Sequence, residues 1–151
     1  EALAQAEVRM PLRALDPAEA AAVHQYRASI EMRALAREEM RLWSSQGGTR
    51  WTVVLETEGE LEPSPLNRTA VIRPVDDLDD LPRCIAGRRE HLMSAALGVG
   101  ERRRARLARG LAAAGVTRVT GLGRAQELES DLYHDGVNAV ALLARFARVD
   151  E

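Results

Sequence analysis

Apolar positions along this chain follow two rhythms, a helical one first and a shorter, strand-like one afterwards. Val23, Tyr26, Ile30 and Ala34 recur at the spacing of one face of an α-helix. Just before them, Asp16-Pro17-Ala18-Glu19 holds the parts of a helix start: a capping carboxylate, a proline suited to the first helical position, and a glutamate placed to reach back to the cap. The pattern predicts a helix from Asp16 to about Arg41, with Gln46-Gly47-Gly48 ending that region. Trp51 to Leu55 is a brief, β-branched apolar run and predicts a buried strand. Glu58 to Asn67, with Pro63 and Pro65, predicts a loop, and Ala70 to Arg73 a second strand stopped by Pro74. Asp76 or Asp77 is placed to cap a short helix ending near Gly87, with Pro82 near its start. His91 to Leu97 predicts a third strand, Gly100 to Ala114 a helix closed by Gly115, and Val116 to Thr120 a fourth strand. A loop from Gly121 to Gly136 leads to a last helix from Val137 to about Arg148. Strands alternating with helices imply parallel crossovers, hence an α/β fold whose layered sheet of mainly parallel strands is flanked by helices.

Composition narrows the class without naming a function. A chain of 151 residues fits one domain, and 46% hydrophobic residues are too many for a disordered one. The net charge of −2 argues against a protein that binds nucleic acid by neutralising phosphates. All 21 basic residues are arginine. Cys84 is the single cysteine, which excludes an internal disulfide framework and a multi-cysteine metal site. No apolar run approaches the roughly 20 residues of a membrane span. The first residues, Glu1 to Glu7, lack a basic region followed by an apolar core and start without methionine. A cytoplasmic chain that begins part-way through a longer protein is expected.

Four features invite chemistry. Tyr133-His134-Asp135-Gly136 places an imidazole and a carboxylate beside a turn glycine. Such a loop can present a general acid or base, or orient a carbonyl; Asp135 can equally cap the last helix. Gly121-Leu122-Gly123 follows a strand but lacks the third glycine of a dinucleotide fingerprint, since Gln126 stands there, and no helix is expected to open. Cys84 has no histidine at a spacing that marks a partner base, and a packed or surface thiol fits its surroundings. Arg102, Arg103, Arg104, Arg106 and Arg109 form a basic helix face, read as solvated, with Leu107, Leu111 and Ala114 turned inward.

Three segments in order, Trp51 to Leu81, Gly115-Val116-Thr117-Arg118-Val119 and His134-Asp135-Gly136, resemble the late catalytic region of the aldehyde dehydrogenase superfamily. Within it they are most similar to the acyl-CoA reductases that make fatty aldehyde for bacterial luminescence. The resemblance covers most of the chain and rests on the order of the segments. It implies that residues 1–151 are the C-terminal part of an aldehyde-dehydrogenase-like catalytic domain, with the nucleophilic cysteine and most of the cofactor-binding domain upstream. Cys84 does not match that nucleophile. The implied chemistry is two-step: a cysteine thiolate takes the acyl group from acyl-CoA or another activated acyl carrier, and NADPH reduces the thioester to an aldehyde. This segment alone is then expected to be inactive. The resemblance also implies a homo-oligomer, acyl-transferring partner enzymes, and no metal. In the superfamily a glutamate followed by Phe-Gly-Pro contacts the nicotinamide ribose. Glu62 stands in the matching region, but Pro63-Ser64-Pro65 follows it, and a solvated acidic loop with Glu60 is the alternative. His134 and Asp135 are the catalytic candidates. A non-catalytic binding or assembly module of α/β fold is the competing class.

Overall fold

Asp16 and Glu19 close the capping box their spacing calls for. The Glu19 amide donates to Asp16 Oδ1 at 2.8 Å, and the Asp16 amide to Glu19 Oε2 at 3.0 Å. The computed structural model describes residues 1–57, 62–127 and 136–137. The chain divides into two compact units, Glu1–Pro74 and Val75–Glu151.

The first unit contains α1 (Ala2–Arg9), α2 (Pro17–Ala34), β1 (Arg41–Ser44), β2 (Thr52–Leu55) and β3 (Thr69–Ile72). Its sheet has the order β1-β2-β3, with β1 antiparallel and β3 parallel to the central β2. The predicted apolar stripe is the face that α2 buries. Val23 and Ile30 are fully enclosed, and Tyr26 and Ala34 pack against a core of Ile30, Met40 and Val54 with Leu42 and Val71.

Two sequence expectations need correction here. The helix stops at Ala34 rather than near Arg41, and Arg41–Ser44, where no strand was expected, is a strand. Leu35 to Arg41 contains only good helix formers, so local preference favours continuing. Tertiary packing wins: a turn bonded from Ala36 to the Arg33 carbonyl and from Met40 to the Arg37 carbonyl swings Met40 into the core. It also lets β1 pair with β2, in register from Arg41↔Leu55 to Ser44↔Thr52. Gln46-Gly47-Gly48 therefore belongs to a hairpin turn, with Gly47 at φ +67°.

Entry to β3 is unusual. Leu66, Asn67 and Arg68 all take left-handed φ, +59°, +47° and +55°. Such a run costs on the order of 1 kcal/mol per residue and needs outside support. The support is visible: the Arg68 guanidinium binds Glu7 and the Met10 carbonyl, and the Arg68 carbonyl accepts from the Thr52 amide at 3.1 Å.

The second unit runs through a 3-10 turn (Leu78–Asp80), α3 (Leu81–Ile85), a second 3-10 stretch (Ala86–His91), β4 (Ser94–Leu97), α4 (Glu101–Ala114) and β5 (Arg118–Gly121). Asp77 caps the first turn through the Asp79 amide. β4 and β5 pair in parallel through the α4 crossover, as the alternating pattern predicts. Leu107, Leu111 and Ala114 are the buried positions of α4. Gly110 lets α3 come close, since a Cβ there would lie 2.8 Å from Pro82 Cγ. The described residues are thus mixed α/β with two small sheets, three-stranded and two-stranded; β2–β3 and β4–β5 are parallel and β1–β2 is antiparallel. The predicted last helix lies outside the described residues beyond Val137.

Candidate functional site

Parallel pairing of β2 with β3 brings their carboxyl ends side by side, Leu55 against Ile72. The next residue on each strand is charged. Glu56 follows β2, its amide donating to the Ile72 carbonyl at 3.0 Å, and Arg73 follows β3. Arg73 Nη2 donates to Glu56 Oε2 at 2.6 Å. Arg33, in the last turn of α2, binds the other carboxylate oxygen, Oε1, through its Nη2. Glu56 is only 4% exposed, so its charge is held by two guanidiniums rather than by water. Arg33 has a second terminal nitrogen, Nη1, which donates to Glu62 Oε2 at 3.1 Å. Arg73, Glu56, Arg33 and Glu62 therefore form one continuous chain of ion pairs. Tyr26 lies in the same field: burial, and then the Glu56 charge, push its phenol above its ordinary value. A cleft of about 210 Å³ opens beside Glu56 and Thr57, closed on its other side by the turn from Ala36 to Met40. Open α/β sheets place their ligands outside the carboxyl ends of the strands, and this cleft and ion-pair chain occupy that position.

A family profile described as acyl-CoA reductase (LuxC) matches residues 1–148. The chain belongs to that family. No curated protein matches it.

The match bears out the resemblance to the acyl-CoA reductases. Glu62 is described and exposed, tethered by Arg33 rather than free in solvent. Glu58, Glu60, His134 and Asp135 lie outside the described residues. Gly136 has the positive φ of a turn glycine, +77°, and a Cβ there would lie 3.2 Å from Thr117 Cγ2. β5 ends at Gly121, Gly123 turns the chain at φ +80°, and no helix opens in residues 122–127, so the dinucleotide fingerprint is missing in space as in sequence. Cys84 is exposed on α3. The arginine face of α4 is more than a solvated surface. Arg103 Nη2 donates to Asp77 Oδ1 at 2.6 Å, and Arg106 reaches Asp79 at 3.2 Å. Among the described residues no helix is long and apolar enough to cross a membrane, and no group of His, Cys, Asp and Glu is arranged to hold a metal ion.

Sequence reasoning missed the members of this cluster other than Glu62. A signal was present: two β-branched runs closed by opposite charges, Leu55-Glu56 and Ile72-Arg73. It also missed Arg27, which occupies the apolar stripe between Val23 and Ile30 and is 8% exposed. Arg27 Nε donates to Thr52 Oγ1 at 2.9 Å, Nη1 to the Gly48 carbonyl at 2.8 Å and Nη2 to the Trp51 carbonyl at 2.9 Å, clasping the β1–β2 hairpin to α2. Burial lowers its affinity for the proton relative to a free guanidinium.

Proposed function

We propose that this chain is the C-terminal part of the catalytic domain of an enzyme that reduces long-chain acyl-CoA to fatty aldehyde with NADPH, through an acyl-cysteine thioester. The observation that carries the reading is the acyl-CoA reductase family match over residues 1–148. In the first half-reaction a cysteine thiolate, supplied outside this chain, attacks the acyl carbonyl; its C–S bond forms as the C–S bond to CoA breaks, and CoA leaves as the thiolate. NADPH, when bound, would supply the hydride that turns the thioester carbonyl into an aldehyde, with the enzyme sulfur released as the thiolate that began the cycle.

This chain's own residues take three roles in that scheme. Glu62 accepts hydrogen bonds from the nicotinamide ribose hydroxyls, a task suited to an exposed carboxylate already fixed on one side by Arg33. His134 and Asp135 serve the thioester carbonyl or the departing group as acid and base. The Glu56–Arg33–Arg73 cluster braces the strand ends on which Glu62 depends. An exposed Glu62 carboxylate supports the ribose role, and no helix opens after β5 in residues 122–127 to supply a fingerprint turn for the pyrophosphate. That part of the cofactor falls to the upstream domain. A cytoplasmic homo-oligomer, loaded by acyl-transferring partner enzymes, completes the proposal.

The test is an assay of the enzyme containing this chain with a long-chain acyl-CoA and NADPH. Equal amounts of aldehyde, free CoA and NADP⁺ are expected. A folded enzyme that releases CoA without forming aldehyde would contradict the reduction, and one that does neither would favour a non-catalytic module.

A further inference from the structure

We infer that Arg33 is the positioning residue for Glu62, presenting its carboxylate to a vicinal diol; the inference rests on the reading that Glu62 receives the nicotinamide ribose. Arg33 is anchored through Nη2 on Glu56, whose side chain is only 5% exposed, and Arg73 holds that same carboxylate from the other side at 2.6 Å. A guanidinium is planar and rigid, so anchoring one terminal nitrogen fixes the direction of the other. That other nitrogen, Nη1, points to Glu62 Oε2 at 3.1 Å. The Glu62 side chain keeps 56% exposure, so the pair contributes little to stability. Its consequence is orientation. A carboxylate offers roughly four lone-pair directions, so a single N–H on Oε2 leaves the remaining ones for two ribose hydroxyls. Lysine in place of Arg33 carries one compact charge and cannot serve Glu56 and Glu62 along two fixed directions.

The experiment is an equilibrium titration of the enzyme containing this chain with NADPH, followed by cofactor fluorescence in the absence of acyl substrate. The parent is compared with Glu62→Gln, Arg33→Met, Arg33→Lys and the double variant Arg33→Met/Glu62→Gln, with melting curves to verify folding. Glu62→Gln is expected to weaken NADPH binding about tenfold and Arg33→Met roughly fivefold. The double variant is expected to bind no more weakly than Glu62→Gln alone, because Arg33 acts through Glu62. Should Arg33→Met fail to fold, Arg33→Lys, which keeps a cation beside Glu56, replaces it in the same cycle. Losses that multiply in the double variant, or an Arg33 variant that binds like the parent while Glu62→Gln is impaired, overturn the positioning role and leave Glu62 its own. If Glu62→Gln binds as tightly as the parent, the ribose reading itself fails, and the inference with it.

Discussion

Glu56 and Arg73, the first residues beyond two parallel strands, meet at 2.6 Å across the end of the register that pairs Leu55 with Ile72. The contact converts a backbone pairing into a side-chain cluster, because Arg33 completes it from α2. Glu56→Ala leaves both guanidiniums without their shared, buried counter-charge. A loss of about 3 kcal/mol in unfolding free energy is expected, the lower end for a buried pair since both arginines are part-exposed. Urea denaturation checks it; a loss below about 1 kcal/mol would mean that solvent screens the cluster as it does a surface pair.

Arg27→Lys tests the hairpin clasp. One ammonium cannot reach Thr52 Oγ1 and the carbonyls of Gly48 and Trp51 together, so at least one buried acceptor loses its donor. We expect a destabilisation of roughly 1–3 kcal/mol. Hydrogen exchange should locate it: the Ser45 amide, bonded to the Trp51 carbonyl at 3.1 Å, should lose protection earlier than the α2 interior. Unchanged protection at Ser45 would show that the strands hold the hairpin unaided.

How much of this was legible in the sequence differs from element to element. The capping box at Asp16, the apolar stripe of α2, the strands at Thr52–Leu55 and Thr69–Ile72, and the Gly115 cap of α4 all follow from local chemistry, and all are present. β1 was not legible, because Leu35 to Arg41 favours helix locally and only the contacts of Met40 and the pairing with β2 reverse that preference. The cluster around Glu56 depends on which strands pair and in what register, and no spacing along the chain encodes that. Arg27 was closer to hand, since an arginine on an apolar stripe must find buried acceptors.

Acid should weaken the protein through particular carboxylates. The Asp79 amide, and then Arg103, hold the Asp77 carboxyl below its ordinary value of 3.8. Arg13, and then the Asp16 amide, hold Glu19 below its ordinary 4.5. A carboxyl whose folded pKa is depressed contributes its full stability above the unfolded value and loses it as pH falls through the folded one. Melting temperature should therefore fall as pH drops below about 4. Asp77→Asn should melt lower near neutrality and show a shallower acid limb; an acid limb identical to the parent would remove Asp77 from the account.

Gly115→Ala should destabilise by more than about 1 kcal/mol. Gly115 caps α4 at φ +117°, and a Cβ there would lie 3.2 Å from the Arg89 Cα and 2.5 Å from its Cγ. Gly87→Ala is the control: nothing lies within 4 Å of its Cβ position, and a change within about 0.5 kcal/mol is expected. Equal effects in thermal melts would contradict the cap argument.

On the proposed function, the cysteine that accepts the acyl group lies outside residues 1–151 and Cys84 takes no part in acyl transfer. Intact-mass analysis after exposure to a long-chain acyl-CoA without NADPH tests it most directly. The enzyme containing this chain should gain one acyl group, should gain it equally with Cys84→Ser, and should discharge it as aldehyde when NADPH is added; the 151-residue chain alone should gain none. Acylation of the isolated chain that disappears in Cys84→Ser would contradict the account and make Cys84 the nucleophile.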